Sequence, residues 1–129
     1  MVSRFRIRAL LAGLAVDFSG SIVVGLAVVL FLHGHPQSTE MIIRTLTTYV
    51  SPLLAVYWLG LAFTFFGAYV TARLSKPNCI LNTAVFGIIS TLPCFFFPSS
   101  YPFWYQLLCV LTILPVSLVA GYSVATRSV

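Results

Sequence analysis

Charge is what this sequence has least of. Of its 129 residues, 7% are Asp, Glu, Lys or Arg and 60% are hydrophobic, whereas a soluble domain carries about 25% charged residues. A water-facing exterior cannot be built from that supply, and the mean hydropathy of +1.04 agrees. Acid is scarcer still. Asp17 and Glu40 are the two carboxylates of the chain, so acid–base chemistry by a carboxylate pair lacks its parts. The sequence has no nucleophile placed with a base, no phosphate loop and no nucleotide fingerprint, so neither an enzyme nor a cofactor is expected. Cys79, Cys94 and Cys109 form no paired ligand motif. The net charge of +5 comes from seven basic residues that sit beside apolar runs, where anchoring explains them and nucleic acid as a partner is not expected.

Apolar sequence is what is abundant. Four runs, at about 9–32, 52–72, 79–97 and 103–125, are each long enough to cross a hydrocarbon core of about 30 Å as a helix. We therefore expect an all-α, polytopic membrane protein: one transmembrane domain over residues 1–129 with four membrane spans and the lipid bilayer as its surroundings. The first run follows a basic stretch, as a signal peptide does. It is too long for one, Asp17 interrupts it, and no small-x-small cleavage site precedes His33-Gly34-His35-Pro36, so it is read as a retained helix.

The basic residues set the orientation. With the N-terminus inside, Arg4, Arg6, Arg8, Arg73, Lys76 and Arg127 act as cytoplasmic anchors and Arg44 alone falls outside, so both termini are expected in the cytoplasm. Tyr49, Tyr57, Trp58, Tyr101, Trp104 and Tyr105 then gather toward the outer interface. The aromatic turn around Pro98 and Pro102, with Phe95, Phe96, Phe97 and Phe103, is read as further interfacial anchoring. Residues 33–51 form an outer loop in which Ile42, Ile43, Leu46 and Val50 have helical spacing, predicting a short amphipathic helix at the membrane surface. Pro52 is expected to kink the chain after it.

Asp17 is the one acid inside an apolar run. It lies nine residues beyond Arg8, roughly 13 Å deep and near the bilayer midplane. A carboxylate there costs on the order of 3 kcal/mol, so it is expected to face protein or water, or to carry a proton. Ala9, Gly13, Asp17, Ser21 and Gly25 recur every fourth residue, a small-residue stripe that lets another helix approach. Gly60, Thr64, Ala68 and Ala72 make a similar stripe on the second span, and Ser117, Gly121 and Ala125 on the fourth. Counted from the basic residues, Asp17, Thr64 and Ser117 have similar depths. Hydrogen bonding from Asp17 to Thr64 or Ser117 is expected, either at an ion or proton site or as interhelical adhesion worth about 1 kcal/mol.

Weaker features are read conservatively. His33, His35 and Glu40 lack the spacing of a known metal site, so no metal is expected. Cys94 and Cys109 are the one pair placed to meet as a disulfide, but plain buried thiols are the expected state.

The second span ends Gly67-Ala68-Tyr69-Val70-Thr71-Ala72-Arg73 and the fourth Ala120-Gly121-Tyr122-Ser123-Val124-Ala125-Thr126-Arg127. This suggests two helical hairpins repeated in parallel about an axis along the membrane normal. Together with Val16-Asp17-Phe18-Ser19-Gly20, these endings resemble small uncharacterised bacterial inner-membrane proteins of four spans with a Gly-Gly-Tyr-x-Ala-Ala-Arg ending. This chain departs from the doubled glycine, with Gly67-Ala68 and Ala120-Gly121. The resemblance implies a bacterial inner membrane and supplies no activity. Two functions are therefore expected in competition: a non-enzymatic membrane protein acting through helix contacts in a homo-oligomer or with a membrane-protein partner, and a small transporter or channel using Asp17 for a proton or cation. A water-accessible cavity reaching Asp17 would favour the second.

Overall fold

A computed structural model describes residues 6–33, 50–96 and 102–127. These form four helices: α1 (Ile7–His33), α2 (Val50–Leu74), α3 (Cys79–Phe96) and α4 (Phe103–Thr126). Apolar runs of this length fold as helices in lipid because only the helix satisfies every backbone amide within its own segment. The shortest, α3, has 18 residues and is about 27 Å long, so all four are long and apolar enough to span a membrane. Pro52 is the third residue of α2. It thus falls in the first described turn, whose amides have no intrahelical acceptor to lose. Of the expected outer loop 33–51 and its surface helix, residues 34–49, with Tyr49, His35, Glu40 and Arg44, fall outside the described residues, as do Arg4, Phe97 and Tyr101; His33 belongs to α1, and Val50 and Ser51 to α2.

The helices run alternately up and down. α1 packs on α2, α3 on α4, and α2 lies centrally, also touching α3 and α4. This topology collects Arg6, Arg8, Arg73, Lys76 and Arg127, all exposed, at one end of the bundle. At the other end Tyr57 meets Trp58 and Tyr105 edge-on, and Trp104 meets Tyr105 in the same way. The outward surface is apolar: Leu11, Ile22, Leu26, Trp58, Phe66 and Ile88 are all more than half exposed. A soluble bundle would hide these side chains, whereas in lipid they are solvated. The chain has the architecture of an integral membrane protein.

The basic end is tied by a small polar clamp. The Arg6 amide donates to Asn82 Oδ1 at 3.2 Å, and its guanidinium donates to the Leu74 carbonyl at 3.2 Å. A cation is thereby placed on the C-terminal carbonyls of α2, the negative end of its dipole. Asn82 is fully buried and its amide nitrogen donates to Asn78 in the turn that follows α2. That turn, residues 75–78, contains a cis Lys76–Pro77 bond.

Above the clamp the helices meet through glycine. A Cβ on Gly13 would fall on the Thr71 side chain and the Gly67 carbonyl, and one on Gly121 would fall on Thr83. Backbones this close gain the dispersion contacts that hold helices together in lipid. Leu10, Ala68, Phe86 and Ala120 fill the centre.

The expected small-residue stripes are only partly used. On α1, Ala9, Gly13 and Asp17 are buried, but Ser21 and Gly25 are exposed and the packed face continues through Gly20 and Val24. On α2, Gly60 likewise has open space where a Cβ would stand. The physical reason is the pitch: four residues advance about 40° past a full turn, so a strict four-residue stripe winds off the interface within a few steps.

The two similar helix endings also differ in use. Tyr69 is partly buried, accepts from Arg73 Nε at 3.2 Å and lies 5.4 Å beneath its guanidinium, whereas Tyr122 is 64% exposed.

Candidate functional site

Most hydroxyls in these helices bond back to their own backbone. Ser21 donates to the Asp17 carbonyl, Thr71 to Gly67, Thr83 to Cys79, Ser117 to Leu114 and Ser123 to Ala120, the usual arrangement for Ser and Thr inside a helix. Thr64 and Ser90 behave differently. Thr64 Oγ1 donates to Asp17 Oδ1 and Ser90 Oγ to Oδ2, each at 3.0 Å. The carboxylate of α1 is thus held between a hydroxyl from α2 and one from α3, and all three side chains are buried.

Depth and face together explain this constellation. Asp17 is ten residues from the start of α1, Thr64 ten from the end of α2 and Ser90 eleven from the start of α3, so all three occupy one level of the bundle. Ser117 lies at a comparable level in α4 but does not join them. It is buried against Gly87, where a Cβ would strike its hydroxyl, because α4 packs on α2 and α3 and its small face is turned to α3. Ser90 takes the place that depth alone left open to Ser117. Its signal in the sequence was the inward column Asn82, Phe86 and Ser90, one turn apart. The bulky middle member hides that column from a search for small-residue stripes.

No family model, curated protein or solved structure matches the chain.

Two different environments meet at Asp17. Toward the basic end, the tip of the Phe86 ring sits against Gly67; Phe86 is fully buried and forms a floor beneath the carboxylate. Toward the aromatic end, a cavity of about 370 Å³ begins at Asp17, Thr64 and Ser90. Its walls come from all four helices and include Val24, Gly60, Tyr57, Pro93, Tyr105 and Ile113. The Tyr57 hydroxyl donates to Thr112 at 2.9 Å and its ring meets Trp58 and Tyr105, so the side chain is fixed on the cavity wall. Among the described residues lining the cavity there is no Lys, Arg or His. Ser21, Gly25 and Gly60, expected as helix contacts, line this space instead.

The remaining candidates stay apart. The three cysteines are free thiols, with Cys109 on the cavity wall. No group of three His, Cys, Asp or Glu side chains able to hold a metal occurs among the described residues. His33 ends α1 and His35 lies outside the described residues.

Proposed function

We propose that this protein is a non-enzymatic bacterial inner-membrane protein with both termini in the cytoplasm, and that Asp17 is its working group: a carboxylate that exchanges a proton or binds a cation inside the bundle. The observation that carries this reading is the cavity that ends on the carboxylate. An intramembrane acid costs several kcal/mol unless it is neutralised or hydrated, and such groups mark ion and proton pathways by default. Here the acid has polar partners on one level and open space above it. The cytoplasmic placement of the termini rests on the basic end of the bundle and the positive-inside rule.

The decisive experiment is an infrared titration of the Asp17 carboxyl in the purified protein in lipid, with Asp17→Asn as the blank. A carboxyl band that changes reversibly with bath pH is the result expected of a hydrated cavity. A band that never responds would sink the proposal.

A second reading is favoured by the paired hydroxyls. Asp17 links α1 to both α2 and α3, which would serve helix adhesion alone, within one chain or in a homo-oligomer. The readings separate on Asp17→Asn: loss of ion flux with assembly retained supports the site, and loss of assembly with no flux in either protein supports adhesion.

A further inference from the structure

The geometry points to the chemical class that this cavity takes: a small organic monocation, an amine or quaternary ammonium with an apolar body, paired with the Asp17 carboxylate. This inference rests on the reading of Asp17 as a working site. It concerns what fills the space above the carboxylate.

Size speaks first. A proton needs no room, yet about 370 Å³ stands open above Asp17, within the range of small-molecule sites. The wall chemistry then disfavours a bare metal cation. Inorganic cations are held by a shell of several oxygens. The side-chain oxygens grouped here are those of Asp17, Thr64 and Ser90, with Ser21 one turn above, fewer than the roughly six or more that such an ion gathers. Most of the remaining lining is apolar, Val24, Val56, Leu61 and Ile113 among it. Such walls suit hydrocarbon and cannot replace a hydration shell.

Charge decides the rest. The lining offers one carboxylate and no cationic side chain among the described residues, so an anion is repelled and a single positive charge is matched. Each carboxylate oxygen accepts one hydroxyl and has a second lone pair to offer. The rings of Tyr57 and Tyr105 meet edge-on at 6.1 Å on the same wall, and ring faces attract ammonium groups. A proton and the organic cation thereby compete for Asp17, so each weakens the binding of the other.

The test uses benzyltrimethylammonium, which joins a permanent charge to an apolar ring, in equilibrium dialysis against the full chain in a neutral detergent. Benzylsulfonate and sodium chloride serve as controls. We expect saturable binding of the ammonium alone, weakening as pH is lowered by up to about tenfold per unit once the carboxyl takes up protons. Asp17→Asn should lose at least about tenfold in affinity, the scale of one desolvated charge partner.

The second variant is Gly60→Leu. Its side chain enters open space, so it should fill the cavity and abolish ammonium binding while leaving reversible unfolding in mixed micelles unchanged. Equal binding by wild type and Asp17→Asn would overturn the inference, as would unchanged binding by Gly60→Leu. Absence of ammonium binding in a protein whose Asp17 titrates would also overturn it and leave the proton site standing. Absence of both would remove the two readings together.

Discussion

The two halves of this bundle use the same residue for opposite ends. In the basic half, Gly13, Gly67, Gly87 and Gly121 are contact points, each with a neighbour that would collide with a Cβ. In the aromatic half, Gly20 still meets the Phe63 ring about one turn above Asp17, but Gly25 and Gly60 face open space and line a cavity. Small residues in a membrane helix therefore carry no single meaning. They permit close approach where a partner backbone comes near, and they leave volume where it does not. Between α1 and α2 the change comes about one turn above Asp17, past the contact of Gly20 with Phe63.

Five substitutions put this contrast at risk. Phe86→Ala removes the largest fully buried side chain and should cost on the order of 3 kcal/mol, measured by reversible unfolding in mixed micelles. A loss under about 1 kcal/mol would mean that the basic half is no better packed than the other. Next in size is Gly13→Val, which drives a branched side chain into Thr71 and should cost about 1–3 kcal/mol in the same assay. If it is neutral, α1 and α2 are not locked there.

Ser90→Ala and Thr64→Ala should each cost about 1 kcal/mol. Each should also lose most of its effect in an Asp17→Asn background, since the carboxylate is the partner of both hydroxyls. Additive losses in that cycle would place the hydroxyl contribution elsewhere. The smallest effect is expected at Gly60→Leu, within about 0.5 kcal/mol of wild type, because nothing stands where its Cβ goes. A large loss there would show that the aromatic half closes further than described.

Much of the architecture was legible in the sequence, for reasons that particular residues make plain. Arg8, Arg73 and Arg127 bracket apolar runs whose length admits only a spanning helix, and an acid in such a run has few ways to be tolerated. Depth was legible too: counting from the basic residues placed Asp17 and Thr64 on one level, where the structure joins them at 3.0 Å. Face was not. Counting from Lys76 would put Ser90 too deep, because Lys76 lies in the turn and α3 begins only at Cys79. The choice between Ser90 and Ser117 depends on which helices are neighbours, and sequence depth carries no information about that. The cavity was invisible for a related reason. A four-residue stripe reads as a contact surface along its whole length, whereas the helical pitch carries Ser21 and Gly25 away from α2.

The clamp that joins Arg6 to Asn82 and Leu74 has a mechanical meaning. It pins the first turn of α1 to α2 and α3, a pivot at the basic end about which the helix would tilt. Displacement along a rigid rod grows with distance from its pivot. His33 is roughly two and a half times as far from Arg6 as Asp17 is, at a constant rise per residue. A tilt of α1 small enough to keep the Asp17 hydroxyl contacts would therefore be magnified where the cavity is walled by Val24 and Tyr105. Such a tilt would change the spacing of those walls more than the position of the carboxylate at their base.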